Sequence, residues 1–589
     1  VTDSPLQPFL DERDRLAASG WNLGDETRLP GLLDSAITSL AGPIPPGYAV
    51  VAIGGYGRQV MALHSDVDLL FLHPEDGVGD IEQRVLRPLW DAKLKVGHLS
   101  NTPRAARVFA GTRLDAISTF LTARLLTGDA ETFGEFWRLF IGLLEKEHAQ
   151  IVSMLAAEER TRRSEEPRRL MAADLKVGRG GMRTIDLLDW RSRLFGLQSA
   201  PTAAPEPERE LRVELTRIRS AVHAASGRLY DRYDFELREP SSRYLGTDVA
   251  TLGRRVLELR RRAEQLVDEQ WPEIRGGRMM VPPDRPIVAT DLTNRQLMTE
   301  SAFDAFVTRA VPSWSRLRDT PHIVPFHAYG VAEHSLACVD EMTRMTSAPD
   351  DGVAAEIMSG FGDTAALTWA ALLHDVGKGM PGPHGRTGAR MIRDEIRVDL
   401  PERDLVERLV EHHLLLADLA TRYDLDDPAV VSWVADRIPD GRALGSLYLL
   451  TVADSRATGT DTWTSWRAEL VRRAYRRMER ELRRRAMPEE LQMEILADQV
   501  LAAGPPDLTR GEVETHLSGF GRMYRSSHSP EEIVAHIRLA RRPLDVGGVT
   551  VEATPGNPAS MIVTTTDRPR LLIAVAGTLA LNRISILDA

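Results

Sequence analysis

Residues 51–72 read VAIGGYGRQVMALHSDVDLLFL, a short apolar run broken by two glycines and resumed after Ser65. Ala49 to Ile53 is apolar and β-prone and runs straight into Gly54-Gly55, where a backbone can turn sharply and a bulky ligand can come close. Ser65-Asp66-Val67-Asp68-Leu69-Leu70-Phe71 follows. In a strand, residues i and i+2 share a face, so Asp66 and Asp68 point the same way and Val67 and Leu69 point into the core. Two carboxylates so close repel each other unless a hard cation lies between them. Mg²⁺, bound by one or two carboxylates and by substrate phosphates, meets that need. An isolated D-x-D is ordinarily the wet, acidic face of a strand. With Gly-Gly, Ser65 and a hydrophobic strand in order, it reads instead as nucleotidyl-transfer chemistry. Gly54, Gly55, Arg58 and Ser65 are the candidate nucleotide-binding residues, and Asp66 and Asp68 the candidate catalytic and metal-binding carboxylates.

At 589 residues the chain is too long for one core, and three or four domains are expected. The balance of 74 basic and 85 acidic residues, −11, argues against a general nucleic-acid binder. A single cysteine, Cys338, excludes an internal disulfide framework and suits a reducing compartment. The opening VTDSPLQPFLDERD lacks a basic-then-apolar signal pattern, and no apolar run reaches the length of a membrane span. A cytoplasmic protein with no membrane partner is the expectation.

Residues 1–45 read as a solvated helical segment ending at the Pro-rich Gly42 to Gly47. The strand pair belongs to an α/β domain over 46–150. In it, Arg84 to Lys95 reads as an amphipathic helix, Val96-Gly97-His98 returns toward the sheet, and Arg113 to Asp129 reads as a helix against it. Asp115 is the candidate third carboxylate; it reads equally well as a helix N-terminal acid favoured by the macrodipole. Asp129 and Glu131 stand as alternatives. Residues 151–315 read as a helical linker or substrate domain whose interleaved Glu and Arg are solvated faces. Within it, Lys176-Val-Gly-Arg-Gly-Gly-Met-Arg183 alternates glycines and cations and could present N–H groups and charge to phosphate.

Residues 316–500 hold a second centre in four pieces: His327 to His334, His374-Asp375-Val-Gly-Lys378, His412-His413 and Asp454. Asp363 is placed to cap a helix from Thr364 to Val376 stopped by Gly377. On it, His374 falls on the apolar stripe of Leu367, Ala370 and Ala371, and Asp454 follows Leu447 and Leu450 at helical spacing. A lone carboxylate on a buried face costs several kcal/mol unless it is paired or binds a cation. Imidazoles and carboxylates delivered from several helices make a divalent-metal site. Cys338, one turn after His334, reads as packing. Residues 501–545 form a helical connector, with a capping box at Ser529-Pro-Glu-Glu532. Residues 546–589 read strand, turn at Asp567, helix, strand.

These motifs carry resemblances. GGYGR…SDVDLL is similar to the polymerase-β-like nucleotidyltransferase signature, and H…HD…D to the HD phosphohydrolase superfamily. The latter implies His334, His374, Asp375 and Asp454 as metal ligands, His384 and His413 as ligands of a second metal or of phosphate, and Lys378 as a phosphate-neutralising catalytic group. The local wording HAYGVAEHSL, LVEHHLLLADLATRYDLDDP and LTVADSRATG resembles the bifunctional uridylyltransferase/uridylyl-removing family that modifies the PII nitrogen-signalling protein; His413, not His412, matches its histidine. The end of the chain resembles the start of an ACT domain, a glutamine sensor in that family, and is expected to be incomplete. The fold class implied is multidomain and mainly α, with an α/β nucleotidyltransferase part, an all-α HD domain and a partial ACT domain.

The resemblance implies UMP transfer from UTP to a PII tyrosine with Mg²⁺, and hydrolytic removal at an HD site holding Mn²⁺, Mg²⁺ or Fe, under glutamine control. Use of ATP by a PII adenylyltransferase is an open alternative. Gln59-Val60-Met61 and Thr184 depart from the family's Gly-Glu-Leu and Asp, with Asp186 two residues on. They leave room for a glutamine-sensing scaffold with HD hydrolase activity only. An RNA-end nucleotidyltransferase requires a basic face that −11 disfavours. A guanosine-tetraphosphate synthetase/hydrolase places its HD part first.

Overall fold

The computed structural model describes all residues except 1–3, 76, 78–79, 197–205, 272–273, 275–280, 323, 325–326, 460, 522–523, 526–527, 543–547, 555–559, 567–568, 583 and 585–589. The described residues are mostly helical, with two small sheets among them. Two compact units divide it: Val1–Leu414 with Gly445–Ala468, and Leu415–Leu444 with Glu469–Ala589.

The first unit contains a four-stranded sheet, β1 (Ala49–Ala52), β2 (Val67–Leu72), β3 (Val96–Asn101) and β4 (Arg124–Gly128), in the order β3-β2-β1-β4. β1 pairs antiparallel with β2 and β4, and β2 runs parallel to β3. Two cores sandwich the sheet. Val67, Leu69 and Phe71 pack on one side with Leu16, Leu29, Leu33 and Ile37; Leu70 and Leu72 pack on the other with Phe120, Phe136 and Phe140. The face shared with Asp68 is therefore buried beyond its first residue. The N-terminal helices Gln7–Ser19 and Asp25–Ala41 are a layer of this core, not a solvated segment. Arg113 to Asp129 also differs from expectation. A short helix, Leu114–Phe120, gives way to β4, because β1 needs an antiparallel partner on its second edge.

Helices Ala130–Glu165, Met182–Phe195, Glu206–Ser226 and Val249–Gln270 follow. Later, Val331–Ser347, Ala365–Leu373, His384–Asp394, Arg403–His412 and Gly441–Thr458 carry the histidine and aspartate pieces. The helix expected to reach Val376 stops at Leu373. Beyond it the chain tightens into i, i+3 bonds, Val376 N–H to Leu373 and Lys378 N–H to Asp375.

In the second unit, helices Glu489–Ala503, Arg510–Ser518 and Pro530–Ala540 enclose a small core around Val500, Val513 and Ile533. The expected capping box is present: Ser529 Oγ accepts the Glu532 N–H and Glu532 accepts the Ser529 N–H. A hairpin of β5 (Val549–Thr554) and β6 (Ser560–Thr565) precedes helix Leu571–Leu581. The turn at Asp567 and the last expected strand lie outside the described residues.

Candidate functional site

Two constellations stand in the first unit. In one, Asp66 ends the turn into β2 and Asp68 lies on it. Gly54 has φ +61°, and a Cβ there would come 2.9 Å from Asp68 Oδ2; a Cβ on Gly97 of β3 would fall inside the same carboxylate. Glycines on both flanks thus leave just enough room for the acid. Burial, then Asp66, pushes the Asp68 carboxyl up to about 6. Lys176 Nζ sits 3.2 Å from Asp66 Oδ2.

A cleft of about 240 Å³ opens over the pair, lined by Gly54, Gly55, Ser65 and Thr119 and by the cations Lys176, Arg183, Arg212 and Arg219. Ser65 Oγ accepts the Ala62 N–H at 3.0 Å and shapes the turn before the acids. Arg58 lines the wall, its guanidinium 3.0 Å from Asp189 and 3.4 Å from Asp186. Burial would raise the Asp186 carboxyl, but Arg58 and Arg212 outweigh it and hold it at about 2. Asp186 is thus an ionised wall residue of this cleft, and Thr184 is fully buried.

Asp115 is not brought to the cleft. It is 64% exposed and pairs with Arg113 at 2.6 Å. Asp129 accepts the Gly47 and Glu131 N–H groups and caps a helix, while Glu131 is exposed. Lys176 and Arg183 come from the glycine- and cation-rich loop singled out in the sequence, whereas Arg212 and Arg219 escaped the sequence reading. The seven-residue spacing of Arg212 and Arg219 puts both on one helix face, a signal available in the sequence.

The second constellation is a buried cluster. His334 Nε2 lies 3.1 Å from His374 Nε2, 2.9 Å from Asp454 Oδ1 and 3.6 Å from Asp375 Oδ2. On the other oxygen of Asp375, His384 Nε2 lies at 3.6 Å and His413 Nε2 at 3.8 Å, with those two nitrogens 3.1 Å apart. Asp375 therefore joins two groups, His334–His374–Asp375 and Asp375–His384–His413, each compact enough to hold a cation. His374 and Asp375 are chain neighbours just past the helix end, and both side chains reach this point, His374 Nε2 lying 3.4 Å from Asp375 Oδ2.

Donor chemistry fits a divalent metal. His374 and His413 donate Nδ1–H to the Ala371 and Val410 carbonyls at 2.9 and 2.8 Å, so each turns its Nε2 inward, where a metal would take the place of a proton. Imidazole nitrogens paired at 3.1 Å beside a buried carboxylate are a donor set that suits a shared divalent cation. Burial opposes a charged His374, but Asp375 outweighs it and raises its pKa well above the usual range. Burial, then His374, pushes His413 down to about 4. Lys378 Nζ is 2.7 Å from Asp375 Oδ2. His322, which the sequence reading passed over, comes 4.0 Å from Asp375 Oδ2, its ring 3.7 Å from that of His327. Its place in an irregular, proline-flanked segment gave no periodic signal. Cys338 is buried beside His374.

Comparison with known proteins agrees with this geometry. Residues 327–457 match the HD domain family, and His334, His374, Asp375, His384, His413 and Asp454 all lie within that stretch. Over nearly the whole chain the similarity is to enzymes named bifunctional uridylyltransferase/uridylyl-removing enzyme. The one from Streptomyces coelicolor is 28% identical over all of this chain and 81% of its own length. Those of Phenylobacterium zucineum and Aromatoleum aromaticum are each 26% identical, over 92% and 100% of this chain and 70% and 82% of theirs. Among the described residues no helix is long and apolar enough to cross a membrane.

Proposed function

We propose that this chain transfers a nucleoside monophosphate, UMP from UTP, to a tyrosine of a PII signalling protein and removes it again by hydrolysis, with glutamine as effector. The observation that carries the reading is the coexistence, in one unit, of a carboxylate pair under a cation-lined cleft and a buried imidazole–carboxylate cluster. Relatives named for both activities align with both regions. Residues 46–150 are the proposed nucleotidyltransferase domain, 151–315 its helical partner, 316–500 the hydrolase domain, 501–545 a connector and 546–589 the start of an ACT domain.

In the transfer reaction, Asp66 and Asp68 would hold Mg²⁺ with the nucleotide. Gly54 and Gly55 let the backbone approach the phosphates, and Lys176, Arg183, Arg212 and Arg219 offset their charge. The tyrosine oxygen attacks the α-phosphorus, its proton passing to solvent, and pyrophosphate leaves in line; the chain's share is orientation and charge neutralisation. In the removal reaction, His334, His374, Asp375 and Asp454 would hold one divalent cation, and His384 and His413 with Asp375 a second. Such ions, when bound, supply Lewis acidity toward water and phosphate. Lys378 stands beside the bridging carboxylate to neutralise the phosphodiester, and the carbonyl-anchored His374 and His413 keep their tautomers fixed.

Intact-mass analysis of a PII protein incubated with the chain, Mg²⁺ or Mn²⁺, and UTP or ATP separately tests the reading. The expected result is one UMP addition, lost in D66N/D68N. Addition from ATP alone would reassign the donor. No addition and no removal from pre-modified PII would overturn the proposal.

A further inference from the structure

A second cavity, of about 870 Å³, opens beside the end of helix Ala130–Glu165 and the helix Val331–Ser347. Its lining carries seven arginines and four carboxylates. Several of these arginines are committed to buried partners. Arg163 binds Glu159 and Asp268; Arg169 and Arg179 share Glu264; Arg169 also reaches Glu300 and Glu333.

Arg168 and Arg295 differ. Both guanidiniums converge on one carboxylate, Asp340, and both reach the Leu336 carbonyl, at 3.4 and 3.3 Å. Their side chains are 15% and 13% exposed, whereas Asp340 is 49% exposed and is a weak, solvent-screened counter-charge. Arg168 also approaches Glu333 at 3.5 Å, but Arg169 already holds that acid at 2.7 Å. Two guanidiniums thus meet at one exposed carboxylate on the open side of the cavity, while Glu264, Glu300 and Glu333 are held deeper by Arg169 and Arg179. Burial, then Arg168, pushes Arg295 down to about 10. Paired guanidiniums are a common receptor for phosphate oxygens in proteins. The volume falls in the range of roughly 300–1,000 Å³ typical of small-molecule sites. The cavity's floor is the helix that also carries His334, with Glu333 on the cavity side and its neighbour in the imidazole cluster.

We propose that this cavity is a binding site for a small phosphorylated molecule, its phosphate seated between Arg168 and Arg295. This goes beyond the two reactions above and does not depend on them.

Equilibrium dialysis of the metal-loaded chain with UMP and with pyrophosphate, compared among the native protein, R168Q/R295Q and D340N, tests it. The transferase-like cleft and the imidazole cluster are common to all three proteins and cancel in the comparison. R168Q/R295Q is expected to weaken one binding equivalent by about tenfold or more. D340N removes the competing carboxylate and is expected to tighten the same equivalent about threefold. Opposite signs from adjacent substitutions mark charge recognition, because a merely structural role would shift both the same way. Equal stoichiometry and affinity in all three would overturn the proposal. Should R168Q/R295Q fail to fold, an unchanged affinity in D340N overturns it too.

Discussion

The carboxylate pair and the imidazole cluster solve the same electrostatic problem in opposite ways. Asp66 and Asp68 stand at the start of a strand under an open cleft, and a lysine amine from a distant loop balances them. His334, His374, Asp375 and His413 are buried from all sides, and their charges are balanced within the cluster. An open site can exchange its counter-ion with solvent and substrate. A buried one must be built around it, so removing one ligand there costs more than removing one from the sheet.

The largest effect that would test this contrast is D375N. Asp375 serves both imidazole groups, so its loss is expected to lower removal activity at least about a hundredfold and to release bound metal, measured by elemental analysis. Transfer activity should persist. H384A touches one group and should leave part of the metal in place; equal losses in the two variants would deny Asp375 its joining role. Next comes G97A. The added methyl overlaps the Asp68 carboxylate and should cut transfer by about ten- to a hundredfold while removal is unchanged.

A smaller and opposite effect is expected on stability. Burial raises the folded-state pKa of Asp68 to about 6, above its unfolded value, so the folded chain holds that proton more tightly. The penalty for ionising Asp68 is absent below the unfolded pKa, grows as pH rises toward 6 and is complete above it. Without divalent ions, D68N should therefore raise the unfolding free energy of this region by up to about 3 kcal/mol at pH 7, and by nothing near pH 3. Calorimetry with chelator checks this, and a destabilised D68N at pH 7 would contradict it. Smallest of all, D115N should change transfer less than about twofold, as expected for an exposed pair with Arg113. A large loss would return Asp115 to the site.

What the sequence revealed depended on how local each feature was. Gly54-Gly55, Asp66, Asp68, His374-Asp375 and the Ser529 cap are each written within a few residues, and each stands where its local chemistry required. Part of the wall of the cleft was hidden because Arg212 and Arg219 join it from a helix far along the chain. Gly97 meets Asp68 only across a parallel strand pair, a neighbour no periodicity discloses. β4 was misread as helix because its strand character comes from an edge of β1, not from its own residues. Leu29, Leu33 and Ile37 did show a helical stripe, but the acidic and basic residues around them concealed how deeply it would be covered.

The contact between Lys176 and Asp66 has a kinetic side. With an ammonium already against the carboxylate, loading the pair is a cation exchange, not a simple addition, and the displaced amine is released at the rim of the cleft where the phosphates would lie. The divalent ion without nucleotide has to evict a ligand that gains nothing elsewhere; together with a nucleotide, it frees a cation that the nucleotide itself can take up. On the proposed reading of the cleft, the lysine would thereby favour joint arrival of metal and nucleotide over stepwise arrival of either.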